Sequence, residues 1–401
     1  MTPGGRLSAA IEALDRIIAG QPAERVLTRW ARASRFAGSK DRAAVRDIVF
    51  DALRRRRSAL WSSGQAEEPG RALVIGLMVQ TEPAMLEAFD GEQHAPEPLT
   101  GAERAALHPD LSDAPPAIAC DYPDVLTDEV IASFGRADAP EMAALRDRAP
   151  VDLRVNRLKA SVQTALVSLA REGIGAEPIE GLPDALRVAQ NPRRIAGSQA
   201  YRTGLVELQD AASQYVALQA GAKPGMRVLD LCAGGGGKTL ALAASMDGEG
   251  VLCAYDADPG RMTDLPERAA RAGAKVRILD DAALEKAAGR FDLVMVDAPC
   301  SGSGAWRRNP DAKWRLTPQR LGELVATQDT VLDAASQAVR PGGRLVYATC
   351  SILSDENRDR VRAFLDRNPA FRLEGDPISL MPGPDAGDGF FASVMSRAIR
   401  D

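Results

Sequence analysis

The spacing of apolar side chains divides the chain into a helical first part and an alternating second part. Apolar residues recur every three to four positions over residues 6–19 and again from Asp41, as in a helix buried along one face. Further helical patterns follow at residues 72–78, 84–89, 125–134 and 140–148, with a helix cap near Thr100. We therefore predict an all-helical domain over residues 1–148.

A short strand and helix pattern comes next. Residues 151–155 alternate like a strand, residues 161–172 form a helical pattern ended by Gly173, and short strands are predicted at 185–188 and 205–208. This pattern indicates a small α/β module of the RRM-like kind over residues 149–210.

Strands and helices alternate regularly from residue 211 to residue 401. The predicted strands lie at residues 227–231, 250–255, 275–279, 291–296, 344–348 and 390–396. Such alternation predicts an α/β fold with a doubly wound, mostly parallel, Rossmann-like sheet. Ligands of such sheets bind at the carboxyl ends of the strands.

Four consecutive glycines stand between the first of these strands and a helix: Gly234, Gly235, Gly236 and Gly237. Glycine lets the backbone approach a ligand closely, and a helix N-terminus offers free N–H groups. A P-loop would require glycine in place of Cys232, and the dinucleotide-binding pattern would require glycine or alanine at Thr239 or Leu240. The glycines alone therefore identify no particular ligand.

Acidic residues after the next two strands limit the ligands that this site can bind. Asp256 ends the second strand, where a carboxylate binds the two ribose hydroxyls of a nucleoside cofactor. Asp280 or Asp281, after the third strand, could reach an adenine amino group, although an aspartate there is often a helix cap. NAD and S-adenosylmethionine both fit this pattern.

Two cysteines follow two neighbouring strands. Cys300 lies in Asp-Ala-Pro-Cys-Ser-Gly and Cys350 in Ala-Thr-Cys-Ser, so both are predicted at the ligand edge of the sheet. A thiolate that adds to carbon 6 of cytosine turns carbon 5 into a nucleophile for a sulfonium methyl donor. Asp297, near Cys300, can serve as a proton donor to the base. The pair indicates cytosine C5 chemistry and leaves the order of the two thiols open.

Composition limits the other chemistries. With two histidines and five scattered cysteines, a histidine triad, a metal centre and a disulfide framework are not expected. There is no apolar run of transmembrane length and no secretory signal, so we expect a cytoplasmic monomer without a membrane partner.

Charge bears on a nucleic-acid partner. The net charge of −5 argues weakly against a polyanion, although a basic footprint need only be local. One candidate footprint is the run Arg54, Arg55, Arg56 and Arg57, for which a solvated helix face is the simpler interpretation. The other candidate, on the loop after Cys300, comprises Arg307, Arg308, Lys313 and Arg315.

These motifs together resemble the RsmB/Sun(Fmu)/Nop2 family of RNA 5-methylcytosine methyltransferases. The likeness rests on the two cysteine segments, on Leu-Asp-Leu-Cys-Ala with Gly-Gly-Lys-Thr, and on Arg-Arg-Asn-Pro-Asp-Ala-Lys-Trp, and it runs from about residue 150 to the end. The helical part resembles, through weaker motifs, the NusB-like RNA-binding domain of the RsmB branch.

The resemblance implies a role for each site residue. It makes Cys350 the nucleophile and Cys300 the residue that helps to release the product, with Asp297 between cofactor and base. It implies S-adenosyl-L-methionine as the cofactor, bound by Cys232, Ala233, Gly234, Gly235, Gly236, Gly237, Lys238, Asp256, Asp280 and Asp297. The family's Ala-Pro-Gly-Gly-Lys turn lacks its proline here, which can lower affinity without changing the cofactor.

The expected function is therefore RNA (cytosine-5) methylation, with 16S ribosomal RNA favoured by the resemblance alone. Transfer RNA stays open as a substrate. A non-catalytic ribosome-assembly factor also stays open, although a decayed site need not keep both cysteines and Asp297. An NAD-dependent enzyme would leave both cysteine motifs without a purpose.

Overall fold

The computed structural model describes residues 1–65 and 67–399. It divides into two compact units, Met1–Arg148 with Trp306–Thr317, called here the helical unit, and Ala149–Ala305 with Pro318–Asp401, called the sheet unit. The division differs from the three sequence-based domains in two respects: residues 149–210 lie in the same unit as the domain that begins at residue 211, and one segment changes domain. The segment Trp306–Thr317, expected in the sheet domain, belongs to the helical unit.

The helical unit is built around an apolar central helix. Helix α5 buries eight of its residues, and its neighbours contribute Leu7, Leu14, Val45 and Leu53 to the same core. The predicted cap is present, because the Thr100 hydroxyl accepts a hydrogen bond from the Glu103 N–H at 3.1 Å. The helices preceding the sheet unit are α1 (Pro3–Ile18), α2 (Ala23–Ala33), α3 (Ser39–Arg54), α4 (Arg56–Ser63), α5 (Gly70–Thr81), α6 (Gly101–Ala106), α7 (Pro116–Ala119), α8 (Thr127–Phe134) and α9 (Pro140–Ala144).

The sheet unit begins with a four-stranded antiparallel sheet in the order β2-β3-β1-β4. Strand β2 was not predicted, because its exposed edge position leaves no apolar alternation to read. The elements are β1 (Asp152–Val155), α10 (Val162–Arg171), β2 (Gly175–Pro178), β3 (Ala185–Gln190), α11 (Gln199–Arg202) and β4 (Val206–Leu208).

The second sheet is the predicted doubly wound α/β fold. Its order is β10-β12-β9-β8-β5-β6-β7, with β11 beside β12. Strands β5 to β9 form the parallel part of the sheet, and β12 runs antiparallel to β9. The remaining elements are α12 (Ala211–Gln219), β5 (Arg227–Asp230), α13 (Gly237–Ser245), β6 (Val251–Ala254), α14 (Leu265–Ala272), β7 (Arg277–Ile278), α15 (Asp281–Glu285), β8 (Phe291–Asp297), α16 (Pro310–Arg315), α17 (Pro318–Ala338), β9 (Val339–Thr349), α18 (Arg358–Arg367), β10 (Phe371–Leu373), β11 (Ile378–Leu380) and β12 (Phe390–Arg397).

This topology fixes the ligand edge. Strand β5 pairs with β6 on one side and with β8 on the other, so the chain reverses direction across the sheet at β5. Crevices for ligands open at such a reversal, beyond the carboxyl ends of the strands. The glycine turn follows β5, and the two cysteine loops follow β8 and β9. In the described part of the chain, none of the helices is both long enough and apolar enough to cross a membrane.

Candidate active site

The two cysteines predicted at the ligand edge are in contact. Strands β8 and β9 are parallel neighbours, and Asp297 pairs in register with Ala348, which brings the loops after both strands together. The Sγ atoms of Cys300 and Cys350 lie 3.5 Å apart, and both side chains are half-buried free thiols. This separation is far longer than a disulfide bond of about 2 Å. The site therefore holds two adjacent thiols.

Hydrogen bonds between the two loops hold this geometry. The N–H of Gly304 donates to the carbonyl of Cys350 at 2.9 Å, and the hydroxyls of Ser303 and Ser351 lie 2.9 Å apart. The Ser303 hydroxyl also accepts from the Ile352 N–H at 2.9 Å. Each cysteine loop is thus fixed by the other.

Glu356 is a buried anchor that sequence reasoning missed. Its fully buried carboxylate accepts hydrogen bonds from the Ser301 N–H at 2.8 Å and from Gln328 Nε2 at 3.0 Å. Glu356 lies in a 3-10 turn at Ser354–Glu356, and α18 begins after it at Arg358. Glu356 is therefore a positioning residue for the Cys300 loop.

We expect Glu356→Gln to lower turnover about tenfold or more while cofactor affinity stays unchanged. The amide removes the negative charge that strengthens the hydrogen bonds from Ser301 and Gln328, and a hydrogen bond to a charged group contributes about 1.5–3 kcal/mol. The readout is kcat and the cofactor Kd measured on the same preparation, with the exposed Glu323→Gln on α17 as control. Equal kcat in Glu356→Gln and wild type would remove the positioning role.

The surroundings of Cys300 keep it protonated. Its hydrogen bond to Cys350, its burial and the negative charge of a neighbouring Cys350 thiolate raise the pKa of Cys300 well above the ordinary thiol value. Ionisation of one thiol thus disfavours ionisation of the other.

Lys238 and Asp297 form an ion pair at the same edge. Lys238 Nζ donates to Asp297 Oδ2 at 2.7 Å and lies 4.8 Å from the centre of the Phe390 ring. Burial acts to lower the pKa of Lys238, but Asp297 and, more weakly, Cys350 outweigh it and raise that pKa. Lys238 is therefore an ammonium group close enough to interact with Cys350.

Asp297 keeps one oxygen available. Its side chain is one-third exposed, and among the described residues Oδ1 accepts no hydrogen bond. The ion pair thus presents a carboxylate oxygen to the crevice beside the two thiols.

The glycine run forms a tight turn with open N–H groups. The Gly236 N–H donates to the Ala233 carbonyl at 2.9 Å, and Gly234 and Gly236 have φ values of 49° and 84°, which favour glycine. A Cβ atom on Gly236 would lie 2.2 Å from Leu265 Cδ1. Within the described chain, the N–H groups of Gly235 and Gly237 have no acceptor. Gly235, which replaces the family proline, thus adds a donor to this turn.

Two largely buried side chains, Asp230 and Cys232, lie next to the glycine turn. The fully buried Asp230 accepts a hydrogen bond from the Thr239 hydroxyl at 2.7 Å, and burial raises its pKa to about 6. Sequence reasoning did not single out Asp230. Burial, followed by the charges of Asp230 and Asp256, raises the pKa of Cys232, so Cys232 is an unreactive thiol.

The three acidic cofactor candidates occupy different surroundings. Asp256 is buried, accepts from the Gly234 N–H at 3.0 Å and pairs with Arg261 at 3.3 Å. Asp280 is exposed and caps α15 through the Ala283 N–H at 2.8 Å. Asp281 accepts from the Tyr255 hydroxyl at 2.8 Å, which raises the pKa of Tyr255 to about 12.

These donors and acceptors fit a nucleoside cofactor. Open N–H groups on the glycine turn and carboxylates after β6, β7 and β8 match ribose hydroxyls and an adenine amino group. The described residues contain no group of three or more histidine, cysteine or acidic side chains that could hold a metal ion.

Comparison with known proteins finds a family of methyltransferases, which use a nucleoside cofactor. Residues 217–396 match the model of the 16S rRNA methyltransferase RsmB/F domain, and residues 122–194 match that of the RsmF/B-like ferredoxin-like domain. These two segments of the chain belong to the RsmB/F family.

Relatives and solved structures agree with the family. Ribosomal RNA small subunit methyltransferase B of Citrobacter koseri is 35% identical over 264 residues, and that of Salmonella typhi is 36% identical over 264 residues. Each alignment covers 63% of this chain and 61% of the relative, so the chain spans less than two thirds of these relatives' length.

Two solved structures share the fold. A methyltransferase homologue from Pyrococcus horikoshii is 26% identical with a TM-score of 0.63 and covers 73% of this chain and 100% of its own. The crystal structure of PH0851 matches with a TM-score of 0.75 at 23% identity, covers 99% of both chains and shows the fold alone.

The basic residues on the loop after Cys300 do not form the basic footprint predicted from the sequence. Arg307 and Lys313 are each only 1% exposed inside the helical unit, where Lys313 Nζ donates to the Arg54 carbonyl at 3.1 Å. Arg308 and Arg315 are exposed, and Arg315 pairs with Asp311 at 3.0 Å. Burial excludes Arg307 and Lys313 from phosphate contacts, so this part of the prediction is wrong.

The arginine run at residues 54–57 is not a solvated face either. It spans the break between α3 and α4, and each of its members pairs with an acidic side chain within the helical unit. The pairs are Arg54–Asp51, Arg55–Asp147, Arg56–Glu68 and Arg57–Asp124. Neither of the two clusters singled out from the sequence therefore offers a basic footprint for RNA.

Lys313 predicts a pH dependence of stability. Burial lowers its pKa from 10.5 to about 8, against the attraction of the buried Asp121 carboxylate. Between about pH 8 and pH 10.5 the unfolded chain binds more protons at this residue than the folded chain, so stability from this group rises with pH. Below pH 8 the lysine is charged in both states and contributes no dependence.

We therefore expect wild type to gain about 2 kcal/mol relative to Lys313→Met between pH 7.5 and pH 9.5. Urea unfolding of both proteins at each pH measures this difference, and other titrating groups cancel in the comparison. An identical stability difference at the two pH values would contradict the lowered pKa.

Proposed function

We propose that this protein transfers a methyl group to carbon 5 of a cytosine in small-subunit ribosomal RNA. The observation that carries the proposal is the pair of thiols 3.5 Å apart beside the Lys238–Asp297 ion pair. Cytosine C5 chemistry needs a nucleophile, an acid or base for release, and a carboxylate near the ring. The names of the relatives from Citrobacter koseri and Salmonella typhi favour ribosomal RNA, and hence a cytoplasmic site of action.

The cofactor is S-adenosyl-L-methionine, which supplies the electrophilic methyl group. Residues Cys232 to Lys238 would hold it through the backbone of the glycine turn, and Asp256 would bind its ribose hydroxyls. Asp280 or Asp281 would contact the adenine, and Asp297 stands between this region and the thiols. NAD fits the same turn but would leave the thiol pair without a role.

Cys350 is the nucleophile. Lys238 places an ammonium charge close to Cys350, where it interacts with the negative charge of the attacking sulfur. Bond formation between Cys350 Sγ and carbon 6 moves electrons onto carbon 5, which then accepts the methyl group. Asp297 Oδ1 accepts a hydrogen bond from the exocyclic amino group and so orients the ring.

Cys300 releases the product. Once Cys350 Sγ is bonded to carbon 6 it carries no charge, and its hydrogen bond to Cys300 is the largest influence that raises the pKa of Cys300, ahead of burial and the charge of Cys350. Cys300 therefore becomes more acidic in the adduct, releases its proton to solvent, and acts as a base in its thiolate form. It takes the proton from carbon 5, the C5–C6 double bond re-forms, and the Cys350 thiolate leaves.

Methyl-labelled S-adenosylmethionine tests this function with the full chain. We expect label in 5-methylcytidine after nuclease digestion of small-subunit ribosomal RNA, and none with Cys350→Ser. Label in transfer RNA alone would change the substrate. Cofactor binding without transfer to either RNA would indicate a non-catalytic assembly factor and refute the proposal.

A further inference from the structure

We propose that helix α2, the turn after it and the first turn of α3 form the RNA-binding face of the helical unit. This α2 basic face consists of Arg25, Arg29, Arg32, Arg35 and Lys40. The inference rests on the proposed function only in taking RNA as the substrate. It gives the acidic chain the local basic footprint that its two other basic clusters do not provide.

The five cations are exposed and have no carboxylate partner. Each of the five side chains is exposed, and within the described residues none of these side chains forms a hydrogen bond or an ion pair. The two acidic side chains nearest in sequence are already occupied, because Glu24 pairs with Arg46 and Asp41 with Arg6 and the N-terminus. Other arginines of the unit, such as the run at residues 54–57, are paired.

The spacing concentrates positive charge instead of dispersing it. Arg25, Arg29 and Arg32 follow one another at four and three positions, so they lie on one side of α2, and Arg35 continues the series. Like charges at these spacings destabilise a helix by a few tenths of a kcal/mol per pair. An arrangement that is unfavourable for the isolated helix becomes favourable against a polyanion.

Aromatic side chains lie within the same surface. Phe36 is 76% exposed in the turn between α2 and α3. Trp30 is half-buried and borders two clefts, one of about 460 Å³ beside Arg32 and Arg42 and one of about 1140 Å³ beside Arg29 and Phe36. In proteins that bind single-stranded RNA, aromatic rings stack on the bases and neighbouring arginines neutralise the phosphates.

A membrane is the poorer partner for this face. The apolar residues of α2 that could enter a bilayer, Ala23, Val26 and Leu27, are buried in the core of the unit. An interfacial helix needs its apolar side free to insert. The chemistry of this face therefore favours flexible RNA.

The test is the triple variant Arg25→Ala, Arg29→Ala, Arg32→Ala in the full chain, with small-subunit ribosomal RNA as the probe. We expect RNA binding to be weaker by about tenfold or more at 0.15 M salt. The slope of the logarithm of the binding constant against the logarithm of salt concentration should be smaller by about 2, since each lost single-strand phosphate contact removes about 0.7. The matched control removes three exposed arginines elsewhere, Arg104→Ala, Arg136→Ala, Arg171→Ala, and should keep the wild-type slope.

Phe36→Ala gives an independent readout, because its exposed ring contributes little to folding. We expect about tenfold weaker RNA binding, the size of one lost stacking contact, with an unchanged salt slope. Wild-type binding and slope in the triple variant would overturn the inference. The inference would also be overturned if the triple variant lost binding to vesicles of anionic phosphatidylglycerol but kept wild-type binding to the RNA. If wild type binds no RNA at all, the proposed function itself fails, which distinguishes the two outcomes.

Discussion

Cys350→Ser should abolish methyl transfer and covalent attachment to RNA, whereas Cys300→Ser should accumulate a covalent protein–RNA adduct. The reason lies in the 3.5 Å thiol pair beside Lys238, where one sulfur forms the bond to carbon 6 and the other removes the carbon 5 proton. Serine preserves size but is far less nucleophilic, and it cannot replace Cys300 as a base near neutral pH. We expect turnover losses of about a thousandfold or more in both variants.

The two variants are separated on a denaturing gel after incubation with RNA and S-adenosylmethionine. Cys300→Ser should give a shifted band whose RNA carries the methyl group, and Cys350→Ser should give none. Cys120→Ala, a buried thiol of the helical unit, is the control and should turn over like wild type. An adduct with Cys350→Ser and none with Cys300→Ser would reverse the two roles.

Asp297→Asn should lower kcat about 100-fold or more with a smaller effect on cofactor affinity. The amide keeps the shape of the side chain but removes the carboxylate that orients the base and the partner that raises the pKa of Lys238. Lys238 is 8% exposed, and a buried ammonium without a counter-ion tends to lose its proton. The thiolate of Cys350 would then lose its neighbouring charge as well.

Calorimetric titration with S-adenosylmethionine and single-turnover methylation measure the two effects of Asp297→Asn separately. The exposed Asp366→Asn on α18, outside the proposed site, serves as the control for loss of a carboxylate. Single-turnover rates equal to wild type in Asp297→Asn would remove Asp297 from the chemistry.

The thiol pair could be predicted because it depends on strongly patterned elements. Strand β8 and residues 345–349 of β9 are almost continuously buried, and parallel pairing brings whatever follows them to one edge. The same reasoning located the glycine turn and Asp256. The order of attack could not be derived this way, because both cysteines occupy equivalent positions at strand ends.

Side chains that fold back across long sequence distances escaped prediction. Glu356 reaches Ser301 over 55 residues, and no periodicity encodes such a contact. Lys313 and Arg307 were assigned to RNA because charge ordinarily indicates solvent exposure. Both are buried in the helical unit, a placement fixed by partners such as the Arg54 carbonyl, which receives the Lys313 ammonium. The short strands β2, β10 and β11 have too few residues to show alternation.

Release of tritium from carbon 5 is the most direct test of the central claim. Small-subunit ribosomal RNA transcribed with [5-³H]cytidine is incubated with the full chain and S-adenosylmethionine, and tritium in water is counted against methyl groups incorporated. One tritium released per methyl group transferred, and none with Cys350→Ser, is the predicted result. Methyl transfer without tritium release would place the methyl group on another atom and contradict the thiol mechanism.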